Sequence, residues 1–98
     1  MQFIVSGYDG NDEHAMARRM AVREDHLAVA KRMHENGELL YAAALLDEAE
    51  RMVGSTLIVE FPDRGMLDAW LEVEPYVTSG VWKTIEVTPC KVPAFLKP

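Results

Sequence analysis

A β-rich, largely apolar opening gives way to apolar positions at helical spacing, and these to a near-continuous apolar run. Residues 2–8 (Gln-Phe-Ile-Val-Ser-Gly-Tyr) are rich in β-formers and run into Asp9-Gly10-Asn11, a turn cluster, which predicts a first strand. Asn11 or Asp12 is placed to cap a helix, and Glu13 suits its first turn. From there to Asn36 the period is helical. Met16, Met20, Leu27 and Ala30 form one stripe, widened by Val22, Val29 and Met33. Gly37 follows as a C-cap, and His34 near that end suits the helix dipole. The span fits one long helix as well as it fits a loop or short helix that restarts near Glu24-Asp25.

Residues 38–46 carry a near-continuous apolar run, Leu39-Leu40-Tyr41-Ala42-Ala43-Ala44-Leu45-Leu46. Its length and its place after a glycine predict a strand buried on both faces. Residues 47–50 are a polar connection and residues 54–61 the clearest strand, so the two make a hairpin with a longish loop. Pro62-Asp63 stops that strand and caps a second helix, with Met66, Leu67, Trp70 and Leu71 on its apolar face. Glu74-Pro75 starts a further short helix that Ser79-Gly80 closes. Residues 81–87 are the last strand, with Pro89 after it. The tail over residues 90–98 is too apolar at Phe95-Leu96 to be free, and is expected to pack on its own or a partner subunit.

The element order is βαββαβ. This is the ferredoxin-like α+β arrangement: a four-stranded antiparallel sheet with the helices on one face, here one domain over residues 1–98. A sheet with one wet face should alternate cleanly. Strand one does not, having Phe3 and Val5 on one side and Ile4 and Tyr8 on the other. The Leu39 run does not alternate either. A second copy is therefore expected to cover the open sheet face in a homodimer.

Charge and cysteine narrow the classes. The 98 residues carry a net charge of −6, and no basic stripe stands clear of acids; Arg18, Arg19, Lys31 and Arg32 all have acidic neighbours. Neither nucleic acid nor an anionic membrane is an expected partner. A single cysteine, Cys90, allows no intrachain disulfide and points to a reducing, cytoplasmic setting. The amino terminus has no basic region followed by an apolar one, so no leader is expected. The longest apolar run is far too short to span a bilayer.

Among candidate chemical groups His26 comes first. It lies beside the apolar stripe, where a half-buried imidazole can exchange protons near neutral pH. The pattern also fits a packed histidine satisfied by a neighbour, the commoner outcome. No metal is expected. On one helix His26 and His34 stand about 12 Å apart and His14 further still, whereas metal–nitrogen bonds are about 2 Å long. Glu74, just ahead of Pro75, suits an N-cap and equally a carboxylate that orients a histidine. Tyr76 offers a hydroxyl to a ligand or packs in the core. Arg23 could hold an anionic group by a bidentate contact or pair with Glu24 or a nearby acid. Tyr8, Tyr41 and Trp82 are candidates to line a cavity, although aromatics on strands are more often core. Cys90 has no positioned partner.

Four segments together resemble the YciI-like family. Arg23-Glu24-Asp25-His26-Leu27 fits its Arg-x-x-His-Leu signature, and Gly37-Glu38-Leu39-Leu40 its Gly-x-Leu-Leu strand entry. Gly54-Ser55 opens the third strand as in the family, and Glu74-Pro75-Tyr76-Val77 with Gly80-Val81 fits an Asp-Pro-Tyr-Val-x-x-Gly-Val block. The resemblance covers nearly the whole chain. It implies a dimeric ferredoxin-like α+β barrel and an active site built on a His–Asp pair. The histidine falls on His26, and Glu74 stands at the position of the aspartate. Ala42-Ala43-Ala44 stands where relatives often carry Gly-Pro, which alters the pocket wall.

Most of the family has no assigned reaction. Some similar proteins eliminate chloride from chlorinated hydroxyquinols without a metal or organic cofactor. Related barrels include isomerases of muconolactone type and cofactor-free monooxygenases. The expectation is a cofactor-independent, lyase- or isomerase-like enzyme. His26 takes a proton from a small cyclic or aromatic substrate, Glu74 orients the imidazole, and Arg23 or Tyr76 holds an oxygen. The alternative is a non-catalytic dimer that binds a small ligand or acts as an accessory protein.

Overall fold

The computed structural model describes residues 1–96. The order is β1 (Gln2–Asp9), α1 (Ala15–Glu35), β2 (Leu39–Leu46), β3 (Met52–Glu60), α2 (Arg64–Leu71), α3 (Pro75–Thr78) and β4 (Trp82–Cys90), then a 3-10 turn (Ala94–Leu96). The strands form one antiparallel sheet in the order β2-β3-β1-β4. Alternate residues of the central strands, Phe3 and Val5 with Leu57 and Val59, face the helices and are buried. Leu67 and Trp70 of α2 pack into the same core, where Trp70 stacks on Phe61 at 5.9 Å. This is the ferredoxin-like fold that the pattern predicts.

Local chemistry sets the element ends. The Asp63 side chain caps α2 by accepting from the Met66 amide at 2.9 Å. Gly37 has φ +75° and ends α1 in a Schellman turn: the Glu38 amide donates to the Met33 carbonyl and the Gly37 amide to that of His34. The first helix is continuous, which settles the choice between one helix and two. Its N-cap position is His14, whose side chain makes no cap bond. Asp12 acts one turn earlier, accepting from the His14 amide and pairing with Arg18, which holds the carboxyl down at about 2.

Four expectations about packing change. The inward residues of α1 are Arg19, His26 and Met33, whereas Met16, Met20 and Leu27 of the predicted stripe are exposed. The reason is that the first half of this face, at Arg19 and His26, meets a polar cluster, whereas Met33 lies in the apolar core with Val22, Val29 and Ala30 of the predicted stripe packed against it. β2 is not buried on both faces in the single chain: it is an edge strand, and residues 41–44 are exposed. β4 continues through Pro89, which pairs with Phe3. An edge strand tolerates the missing amide there. In the tail the Val92 amide donates to Gln2 Oε1 and the Tyr41 hydroxyl to the Leu96 carbonyl, yet Phe95 is 84% exposed. The last two residues of the predicted tail, 97–98, lie outside the described residues.

Candidate functional site

The helix-side surface of β2 and β3 carries small residues at Ala42, Ala44 and Ser55. Ala42 pairs with Leu57 and Ala44 with Ser55 on that side. Alanine methyl groups do not fill the space beneath α1, and a cleft of about 130 Å³ remains. Its polar wall is Arg19, Arg23, His26, Ser55 and Tyr76.

His26 is held from two directions. It is 7% exposed, and its Nδ1 donates to Glu74 Oε1. A carboxylate acceptor fixes a proton on Nδ1, so in the neutral ring the lone pair is on Nε2. Among the described residues no protein group bonds Nε2. The imidazole also lies flat on the Tyr76 ring, with centroids 3.9 Å apart and planes within 8°, and Trp82 meets it edge-on at 6.0 Å. Rotation of the ring is therefore blocked by packing as well as by the hydrogen bond.

Glu74 is 1% exposed, and every contact it makes is local or tied to α1. Oε1 accepts from His26 and from the Tyr76 amide at 3.3 Å, and Oε2 accepts from Trp70 Nε1 at 3.2 Å. The expected cap is present, and the same carboxylate meets the imidazole. One carboxylate caps α3, holds the α2 indole and aligns the imidazole of α1. The side chain of Glu74 reaches His26 while its second oxygen keeps Trp70.

The sequence reading passes over a second polar cluster. Arg19 is 3% exposed; its Nη1 donates to both Asp9 oxygens at 3.0 and 3.1 Å, and its Nη2 to Ser55 Oγ at 2.9 Å. Trp82 Nε1 also donates to Ser55 Oγ, at 3.3 Å. The Arg19 guanidinium lies 4.8 Å from the Tyr76 ring centroid. Arg19 and His26 are seven residues apart, two helical turns or about 10 Å, and the Tyr76 ring fills the interval. Arg19 Nε has no hydrogen-bond partner; stacking on the ring is what offsets its burial. The available signal was that Arg19 shares the heptad face of His26 and Met33.

The remaining candidates divide. Burial pushes the Tyr76 phenol above its usual range despite the nearby Arg19 and Arg23 cations, so it is neutral at pH 7 and can donate. Arg23 is half-buried at the cleft and makes no ion pair among the described residues, so the expected partner Glu24 does not take it. Trp82 packs behind the site, with Gly7 leaving it room: a Cβ on Gly7 would lie 2.2 Å from the indole. Tyr8 and Tyr41 do not line the cleft. Their register places them on the opposite sheet face, and both are exposed. Among the described residues no cluster of His, Cys, Asp or Glu could hold a metal ion, and no helix is long and apolar enough to cross a membrane.

Comparison with known proteins bears on the family and the fold. Residues 1–91 match the family described as the YCII-related domain. Protein YciI of Escherichia coli is 33% identical over 97 residues, covering 93% of this chain and 97% of its own length. A solved structure of 5-chloro-2-hydroxyhydroquinone dehydrochlorinase from Burkholderia phenoliruptrix, in complex with 2,5-dihydroxybenzoquinone, superposes with a TM-score of 0.81. It is 19% identical and covers 97% of this chain and 98% of its own. A dimeric ferredoxin-like protein of unknown function from Jannaschia superposes with a TM-score of 0.57 at 18% identity, covering 93% and 98%.

Proposed function

The chain belongs to the YCII-related family, and on that premise we propose that it is a cofactor-independent, lyase- or isomerase-like enzyme acting on a small cyclic or aromatic substrate. The observation that carries the reading is the His26–Glu74 pair. One nitrogen is fixed on a buried carboxylate, and the other is left without a protein partner in a residue that lines a cleft. That is the arrangement of a general base with an orienting group.

In the proposed step Nε2 takes a proton from the substrate. The electron pair left behind moves onto a conjugated oxygen. It then either expels a leaving group as an anion or is reprotonated at another carbon. Glu74 stabilises the imidazolium so formed, and Arg23 or the Tyr76 hydroxyl holds the substrate oxygen. The size of the cleft supports a small substrate, since a cavity of roughly 150 Å³ is enough for benzene.

The test is a metal-free, cofactor-free assay of the purified chain. Chloride release from 5-chloro-2-hydroxyhydroquinone and solvent deuterium uptake by small cyclic ketones and lactones would be followed. Turnover in either arm is expected. Activity that appears only on adding a metal or cofactor, or none across both arms, would overturn the reading.

The proposal includes a homodimer through the open sheet face. Ile4, Tyr8, Tyr41, Leu45 and Ile58 fall on that face by register, and Tyr41 and Tyr8 are exposed in the single chain. Light scattering at micromolar concentration should give twice the chain mass. Exchanging Ile58 for Lys should shift the mass to that of one chain, and a wild-type monomer would exclude this assembly.

A further inference from the structure

Ser55 is the cleft residue whose hydrogen bonding is the most constrained. A serine hydroxyl has one hydrogen to donate and two lone pairs to accept with. Both lone pairs are taken, one by Arg19 Nη2 at 2.9 Å and one by Trp82 Nε1 at 3.3 Å. Neither donor can turn away easily. Arg19 is locked by its two bonds to Asp9, and Trp82 is buried against Gly7. The Ser55 O–H hydrogen has no protein acceptor among the described residues. Ser55 is buried, and the open space it borders is the cleft.

We propose that Ser55 is an oxyanion-binding group, and that the cleft takes a small carbon acid no larger than one ring, whose oxygen Ser55 meets as an anion once the proton has left the carbon. With both lone pairs engaged, the hydroxyl can only donate. A guanidinium donor on its oxygen polarises the O–H and strengthens that donation. The charge inventory agrees. Of the cations that line the cleft, Arg19 is offset by Asp9, whereas Arg23 has no ion-pair partner among the described residues; Glu74 lies behind the imidazole and does not line the cleft. The cleft therefore has one uncompensated cation beside a fixed neutral donor. Trp82 ties this subsite to the base: its Nε1 reaches Ser55 and its ring edge meets His26. The inference rests on the reading of the cleft as the substrate site. It adds the residue that meets the charge developing on oxygen as His26 takes the proton.

Binding of 4-nitrophenolate, followed by its visible absorbance, tests this against 4-nitroanisole, a neutral ligand of the same frame. The wild-type protein should bind the phenolate about tenfold or more tightly than the anisole. Ser55→Ala should lose about ten- to hundredfold of phenolate affinity and leave the anisole unchanged. Trp82→Phe keeps Ser55 but frees one lone pair, so the hydroxyl can turn, and phenolate affinity should fall about threefold or more. That variant decides the matter if Ser55→Ala does not fold. Equal binding of the two ligands by wild type, binding of neither, or an unchanged preference in the folded variants overturns the proposal. His26→Gln should keep the phenolate preference. Full turnover in His26→Gln would remove the base, and the Ser55 result would still stand.

Discussion

His26→Gln is expected to lose about 10²- to 10⁴-fold in turnover, the usual contribution of a positioned general base, while the chain stays folded. Glutamine is the informative replacement. Its amide NH₂ can still donate to Glu74, so the buried carboxylate keeps a partner, but the side chain has no basic nitrogen to offer the cleft. Alanine would remove the same base and also leave Glu74 one donor short beside a hole next to Tyr76. Loss of activity in His26→Ala would therefore mix two causes. Turnover and melting temperature should be measured on both variants. The prediction is a large loss of turnover in both and a large loss of stability only in alanine. A glutamine variant that turns over at the wild-type rate would take His26 out of the chemistry.

Glu74→Ala is expected to be the most damaging single change to the fold. Glu74 is almost fully buried and its carboxylate accepts from three donors on three elements, α1, α2 and α3. Breaking a buried pair typically costs about 3–5 kcal/mol, because the abandoned partner stays buried. For a domain of this size each kcal/mol shifts melting by about 4–8 °C, so a fall of at least about 12 °C is expected. Since such domains are stable by only about 5–15 kcal/mol, the alanine chain should sit near its folding limit. Glu74→Gln separates charge from shape. It fills the same volume and leaves one acceptor oxygen, so it can keep His26 and the Tyr76 amide or Trp70, but not all three. A loss of about 1–3 kcal/mol is expected for the donor left unpaired. If urea unfolding shows glutamine and alanine to be equally mild, Glu74 is not the tie between these elements.

Much of the site could be read before any tertiary contact was known, though unevenly. His26, Glu74, Tyr76 and Arg23 stand in short segments whose order and spacing resemble a family. The pairing of His26 with Glu74 follows from that resemblance and is present in the structure. Arg19, Asp9 and Ser55 could not be read in the same way. Each looks ordinary in its own neighbourhood: an arginine among charges, an aspartate in a turn cluster, a serine at the start of a strand. Their meaning comes from contacts across 10 and 36 residues of chain.

The sequence by itself determined what depends on near neighbours. The shared face of Phe3 and Val5, the Gly37 turn, the Asp63 cap and the Pro75 helix start are all local, and each is where the pattern puts it. Only the tertiary structure decided which face of α1 turns inward. Apolar periodicity favours Met16, Met20 and Leu27, because it assumes that the interior is apolar. Here the interior opposite the first half of α1 is a tyrosine ring set between a guanidinium and an imidazole, both of which are hydrogen-bonded by partners from other elements. Burial of Arg19 and His26 is therefore stable only once Asp9, Ser55, Glu74 and Tyr76 have been brought to them.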